Sequence, residues 1–320
     1  MKKTLNQELK DAFQTMDAER VKSLLAAGAD KNRHVRNNLL MDSCGARPPY
    51  KPVKAELTGD EQHDAGAQKR YDRQVQKYNE DVKAQKAHLQ YMQLLLVNGA
   101  NPDTNDLEET LLLKSLYHGN FAEAQLLLDN GANVNKYHDH DTPLTLYAGR
   151  LDWWGSLDTI KFLYKNGALL DAKDKWEGRT PLMNMTGFDG FSHECAFENL
   201  VWLIKPIEFV VAHGANVNLR DRSGKTALVL SLNQKWGNWP ANYPWFNESA
   251  LQYKGNFSET FYYEIPKILL SNGARVNIAD NKGKNAIHAA STDEEKMDLF
   301  ARAVDESNRF LRRKIVVMSR

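Results

Sequence analysis

Apolar residues in this chain come in short runs at helical spacing, and most of the runs end the same way. In Ala124-Gln125-Leu126-Leu127-Leu128-Asp129-Asn130 the apolar stretch stops at Gly131-Ala132, and the same Gly-Ala pair recurs at Gly28, Gly99, Gly167, Gly214 and Gly273. A glycine in that place predicts a helix that closes in the left-handed conformation, where a Cβ would be penalised. Polar, turn-rich segments follow, as in Gly131-Ala132-Asn133-Val134-Asn135, Gly214-Ala215-Asn216-Val217-Asn218 and Gly273-Ala274-Arg275-Val276-Asn277. A second signature comes after each loop: Asp174 to Gly178 then Thr180-Pro181-Leu182, Asp221 to Gly224 then Thr226-Ala227-Leu228, and Asp280 to Gly283 then Asn285-Ala286-Ile287-His288. Asp and Gly build a turn, Thr or Asn caps the next helix, and Pro143 and Pro181 occupy its first position, where a missing N–H costs nothing. The predicted unit is turn, short helix, helix.

In this order and at this spacing the unit resembles the ankyrin-repeat family, whose consensus runs from D-x-x-G-x-T-P-L-H-x-A through a second helix to L-L-L-x-x-G-A-D-V-N, with a period near 33. Only His288 keeps the consensus histidine, while Thr145, Met183 and Val229 stand in that slot elsewhere. His118-Gly119-Asn120 is similar to the family's turn between the two helices. The resemblance implies an all-α fold: an ankyrin-repeat solenoid of stacked helix-turn-helix units with β-turn fingers. It covers nearly the whole chain, with about seven repeats in a single solenoid over 1–320.

The Gly-Ala pairs are spaced by 71, 32, 36, 47 and 59 residues. Against the family period, extra lengths of roughly 38, 14 and 26 residues place insertions at about 45–86, 188–205 and 235–260, each between the two helices of a repeat. Both ends carry charged faces, Lys2, Lys3, Lys10 and Asp11 at one and Glu294 to Val317 at the other, as terminal repeats need when nothing stacks on them.

Each insertion has its own character. The first opens with Pro48, Pro49 and Pro52, and then Tyr71, Val75, Tyr78, Val82, Gln85, Leu89, Met92 and Leu96 alternate steps of four and three. That seam predicts one long helix from about 66 to 98, near 48 Å at roughly 1.5 Å per residue. Its seam is either a partner-binding arm or a face covered by the preceding loop. In the second, Phe197 to Ile204 predicts an extra short helix, with Pro206 beginning the repeat's own second helix; Pro266 has a similar first-turn place later. In the third, the stretch from Lys235 to Tyr263 holds ten of the chain's 31 aromatic residues. That composition argues against disorder, and it leaves two readings open: rings offered to a partner, or rings folded back onto the solenoid.

Charge narrows the class. With 42 Lys and Arg against 41 Asp and Glu the formal net charge is +1, so long-range attraction to nucleic acid or anionic lipid is not expected. Two cysteines, Cys44 and Cys195, fit a reducing compartment. The first ten residues lack the apolar stretch of a signal peptide, and no run reaches the ~18 apolar residues of a membrane span. A cytoplasmic protein is expected, with no membrane or nucleic-acid partner.

Catalytic chemistry finds little support. His138-Asp139-His140-Asp141 has metal-binding residue types, but at a turn tip four consecutive side chains cannot converge. Ser192-His193-Glu194-Cys195 puts a thiol near an imidazole, yet nucleophile and base meet through the fold rather than along the chain. No P-loop, G-x-G-x-x-G or H-E-x-x-H occurs. No catalytic residue, cofactor or metal is therefore expected.

What the resemblance implies instead is protein recognition on the concave face made by the fingers and first helices. There the chain carries Tyr137, His138, His140, Asp141, Trp176, Arg179, Arg220, Arg222 and Lys225, together with Asn281 and Lys282. Trp236, Trp239, Tyr243, Trp245 and Phe246 of the third insertion add candidate contact area. The expected function is that of a non-catalytic protein-protein interaction module, monomeric alone, that binds one specific partner protein. A narrower form is an inhibitor or immunity protein that neutralises a toxin or effector in a bacterial cytosol. The alternatives are an accessory subunit or catalytic insertion acting on the bound partner, and a purely structural scaffold.

Overall fold

The computed structural model describes residues 4–15, 17–29, 51–52, 61–104, 110–149, 157–187, 201–234 and 258–318. Their regular structure is helical, apart from an isolated antiparallel bridge between His138 and Asp141. The chain divides into two units, Met1–Val134 and Asn135–Arg320.

In the first unit, α1 (Leu5–Gln14) and α2 (Ala18–Ala26) form a hairpin. Asp17 caps α2 by accepting the Arg20 N–H. The long helix α3 (Glu61–Val97) has 37 residues and begins five residues before the sequence expectation. At 1.5 Å per residue it measures about 56 Å. Its seam is graded. Tyr71, Val75, Tyr78 and Gln85 are half-buried and Val82 is exposed, whereas Tyr91, Met92, Leu95 and Leu96 lie inside the core. There they meet Leu9, Val21 and Leu24 of the hairpin. Leu111 of α4 (Leu111–Tyr117) and Leu127 of α5 (Phe121–Asp129) complete that core.

In the second unit one scheme repeats. The short inner helices are α6 (Pro143–Ala148), α8 (Pro181–Thr186), α10 (Ala227–Leu232) and α12 (Ala286–Ala290). Thr142, Thr180, Thr226 and Asn285 cap them, each side chain accepting the N–H three residues on, which satisfies one of the helix's orphan donors. Outer helices return alongside: α7 (Leu157–Lys165), α9 (Val201–Ala212), α11 (Ile265–Ser271) and α13 (Glu294–Met318). Gly273 ends α11 at φ 88°, and the N–H of Ala274 reaches back to the Leu269 carbonyl at 3.0 Å. This is the closure the Gly-Ala pair predicts.

Of the two expectations about prolines, the one for Pro206 is corrected and the one for Pro266 holds. Pro206 does not begin a helix: α9 runs continuously from Val201 with the proline inside it. Leu203, Ile207 and Val210 are all fully buried, so a single apolar face spans the proline and holds the helix together across the lost hydrogen bond. Residues 197–200 lie outside the described residues. Pro266 does stand in the first turn of α11, but a π-helical turn, Thr260–Glu264, runs directly into it. There the Ile265 N–H bonds to the Thr260 carbonyl, five residues back. Pro266 has no N–H to continue the ordinary ladder, and the wider turn absorbs the break.

The aromatic stretch is described only at its end. Phe261 is fully buried, and Tyr262 and Tyr263 nearly so. Tyr262 donates its hydroxyl to the Gln234 carbonyl at 2.7 Å. The Lys296 ammonium, itself buried, stacks 4.7 Å from the Tyr262 ring and donates to the Leu232 carbonyl at 2.9 Å, tying α13 to the end of α10. These rings pack on the stack itself.

Candidate protein-interaction surface

The turns before α6, α8, α10 and α12 form four fingers, centred on 137–141, 174–179, 220–225 and 280–284. Each is built locally. In the first, the backbones of His138 and Asp141 exchange hydrogen bonds of 2.9 and 3.0 Å, with Asp139 in the left-handed region at φ 51° between them. In the second, the buried Asp174 carboxylate organises the whole turn. Its Oδ1 accepts the N–H groups of Trp176, Glu177 and Gly178 at 2.9, 2.7 and 3.0 Å, and its Oδ2 accepts that of Arg179 at 3.2 Å. Asp221 does the same with one bond, from Lys225 N–H at 2.8 Å, and Asp280 with two, from Lys282 and Lys284 N–H, each at 2.8 Å. The Lys284 amide bond, then that of Lys282 and the Lys225 and Lys282 charges, holds the Asp280 carboxyl below its ordinary range.

Successive fingers are also bonded to each other. Lys175 N–H donates to the His140 carbonyl at 2.7 Å, Arg222 N–H to Glu177 at 2.8 Å and Asn281 N–H to Ser223 at 2.9 Å. Side chains reinforce the ladder: Tyr137 donates to the Lys173 carbonyl at 2.7 Å, Lys173 to the Arg220 carbonyl at 2.7 Å and Arg222 Nη1 to the Trp176 carbonyl at 2.8 Å. Arg220 Nη2 and Asn281 Oδ1 meet at 3.2 Å. A partner would therefore meet a surface already ordered, which reduces the entropy lost on binding.

The sequence-predicted residues fall into distinct places on it. Trp176 is 70 % exposed, its ring centroid 5.4 Å from that of the His140 ring of the preceding finger. Tyr137 is 38 % exposed under the Lys175 ammonium. His140, Arg220 and Arg222 are exposed, while Asp141 and Lys225 are half-buried. His138 and Arg179 turn inward, with side chains only 13 % and 12 % exposed. Arg179 is held by Glu177 at 2.6 Å and by the Gly187 carbonyl at 3.2 Å, so it braces the turn rather than facing outward. Trp236, Trp239, Tyr243, Trp245 and Phe246 lie outside the described residues, as do His193 and Cys195. His138 Nε2 stands 3.7 Å from Asp139 Oδ2, and among the described residues no three His, Cys, Asp or Glu side chains gather as a metal site.

Two clefts open between fingers and inner helices. One, of about 330 Å³, lies beside Trp176 and is lined by Asp141, Asp174, Glu177 and Arg179. The other, of about 490 Å³, lies between the last two fingers and is lined by Arg222, Lys225, Asp280, Lys282, Lys284 and His288. Sequence reading missed Lys284 and His288 as surface groups. A signal existed for the lysine: a cation follows the finger glycine at Arg179, Lys225 and Lys284 alike. Among the described residues no helix is long and apolar enough to cross a membrane.

Known proteins share this pattern. A family model described as ankyrin repeats (3 copies) matches residues 82–174. An ankyrin repeat protein of Acanthamoeba polyphaga mimivirus is 26 % identical over 192 residues, 60 % of this chain and 30 % of its own length. Rabankyrin-5 of Mus musculus is 25 % identical over 203 residues, which is 59 % of this chain and 14 % of that protein. The chain thus spans less than a third of the length of these relatives. Among solved structures, an ankyrin repeat domain of Acinetobacter baumannii AYE is 23 % identical with a TM-score of 0.46, over 67 % of this chain and 92 % of that one.

Proposed function

Because this chain is an ankyrin-repeat protein, a scaffold that serves as a protein-protein interaction module, we propose that it holds one specific partner protein on the finger surface of its second unit. The observation that carries this reading is Trp176, a large apolar side chain 70 % exposed on a finger whose backbone is bonded to the fingers on both sides. Aromatic anchors on preordered surfaces dominate binding energies, and ordering them in advance lowers the entropy lost on association. His140 and Arg222 flank that anchor with polar groups suited to an interface rim.

The role is non-catalytic and cytoplasmic, with no cofactor. In its narrower form the protein is an inhibitor or immunity protein that masks a toxin or effector; its support is the departure from a regular repeat, seen in the uneven spacing of the Gly-Ala pairs and in the 37-residue α3.

The test is affinity capture from native cytosol by wild type and by Trp176→Ala, with circular dichroism confirming that the variant is folded. One stoichiometric protein retained by wild type and lost from the variant supports the reading. Equal retention by both proteins, or no retained protein in any growth condition, overturns it.

A further inference from the structure

The 490 Å³ cleft between the last two fingers is locally cationic in a chain of formal net charge +1. Arg222, Lys225, Lys282 and Lys284 line it against one carboxylate, Asp280, which accepts two turn amides at 2.8 Å and feels the Lys225 and Lys282 charges, so cations outnumber it four to one. Among the described residues the Lys225, Lys282 and Lys284 ammonium groups have no hydrogen-bond or ion-pair partner. Three cations on the outer helices are paired by contrast: Lys205 with Glu208 at 3.0 Å, Lys267 with Glu264 at 3.1 Å and Arg302 with Glu259 at 2.6 Å. Unpaired like charges crowded into one cleft repel each other, and an anion placed there relieves the repulsion. Arg222 is also fixed in place, since its Nη1 donates to the Trp176 carbonyl at 2.8 Å, and its planar fork suits a carboxylate.

The same bond makes the cationic cleft continuous with the exposed Trp176. Resting on the interaction reading above, we propose that the cleft takes an acidic segment of the partner protein, a stretch with one apolar residue on Trp176 and a run of Asp or Glu between the last two fingers. A polyphosphate chain fits less well. The cleft on the far side of Trp176 is lined by Asp141, Asp174, Glu177 and Arg179, and its one cation, Arg179, is paired with Glu177 at 2.6 Å, so a uniform polyanion following the fingers finds no matching charge there. A segment apolar at one end and acidic at the other matches the exposed Trp176 ring and the cationic cleft. Neighbouring helices in such a stack lie about 10 Å apart, which puts the cationic cleft about 15 Å from Trp176. At about 3.3 Å per extended residue, the acidic run begins four to five residues from the apolar one.

Fluorescence anisotropy with labelled synthetic probes tests this on the full chain. One peptide carries a leucine, a four-residue Gly-Ser spacer and four glutamates; a second replaces the glutamates with glutamine; a single-stranded oligothymidylate of similar length is the polyphosphate. The glutamate peptide is expected to bind about tenfold or more tightly than the glutamine peptide and the oligonucleotide, and to weaken as salt rises from about 50 to about 300 mM. Lys225→Gln, Lys282→Gln and Lys284→Gln together are expected to abolish that preference with the circular dichroism spectrum unchanged. Equal binding of the two peptides, tighter binding of the oligonucleotide, full affinity in the lysine variant, or no binding of the glutamate peptide at about 1 mM each overturns the proposal. The two readings separate on the captured partner: if the lysine variant holds it undiminished while Trp176→Ala loses it, the acidic-segment inference falls alone, and if Trp176→Ala holds it too, both fall.

Discussion

Asp174→Ala should loosen the second finger more than the equivalent changes in its neighbours, in proportion to the amides each aspartate gathers. Asp174 accepts four backbone N–H bonds, Asp280 two and Asp221 one. A hydrogen bond to a charged group contributes about 1.5–3 kcal/mol. The four at Asp174 do not add fully, because three share Oδ1 and water can reach some of the freed amides. A loss of about 3 kcal/mol follows for Asp174→Ala, about 2 for Asp280→Ala and about 1.5 for Asp221→Ala. Asp174→Asn separates hydrogen bonding from mere removal of a side chain. Its amide oxygen can keep the three Oδ1 bonds while losing the charge and the Arg179 bond, so it should retain roughly half of the stability lost in the alanine variant. Urea unfolding followed by far-UV circular dichroism measures the totals, and hydrogen exchange at residues 176–179 reports the finger itself. The reasoning fails if the three alanine variants are equally stable, or if Asp174→Asn is no better than Asp174→Ala.

Three further outcomes can be checked by the same unfolding measurements. Gly224→Ala should cost about 2 kcal/mol or more, and Gly273→Ala only about 1. Both glycines have positive φ, but a Cβ at Gly224 would meet Arg220 Nη2 and Asn281 Oδ1 at 2.5 Å, whereas at Gly273 nothing lies within 4 Å. Phe261→Ala should cost about 3–5 kcal/mol because its ring is fully buried, while Phe310→Ala, 52 % exposed, should stay within about 0.5. His88, beside the buried Glu123 at 3.5 Å, has its pKa pushed down to about 4 by burial. The unfolded chain therefore binds the proton more readily. His88 contributes stability that is full above its ordinary value of about 6.5 and is lost as pH falls toward about 4. His88→Gln should flatten stability over that window, and an unchanged pH profile refutes the assignment.

Much of the scaffold is legible because its instructions are local. Gly273 ends α11, Thr180 and Pro181 begin α8, and the uninterrupted seam from Tyr71 to Leu96 makes a helix, each through contacts within a few residues of itself. Pro206 is the exception. Local rules place a helix start there, but burial of Leu203, Ile207 and Val210 along one face outweighs the single lost hydrogen bond.

The surface was less legible. The resemblance to a known repeat nominated Trp176, Arg179 and His138 alike, and tertiary packing then exposed the first and turned the other two inward. The bonds that order the fingers join residues 35 to 61 positions apart, such as Lys175 to His140 and Arg220 to Asn281. The cationic cleft likewise draws Arg222 and Lys284 together from separate repeats. By itself, then, the sequence determined the repeating unit, its caps and closures and the residue types at each finger, because those depend on backbone conformation and near neighbours. Which of the finger side chains face outward, and which charges stand together without a partner, only the stacking of one repeat on the next decided, because burial and Coulomb energy depend on distance in space and not on separation along the chain.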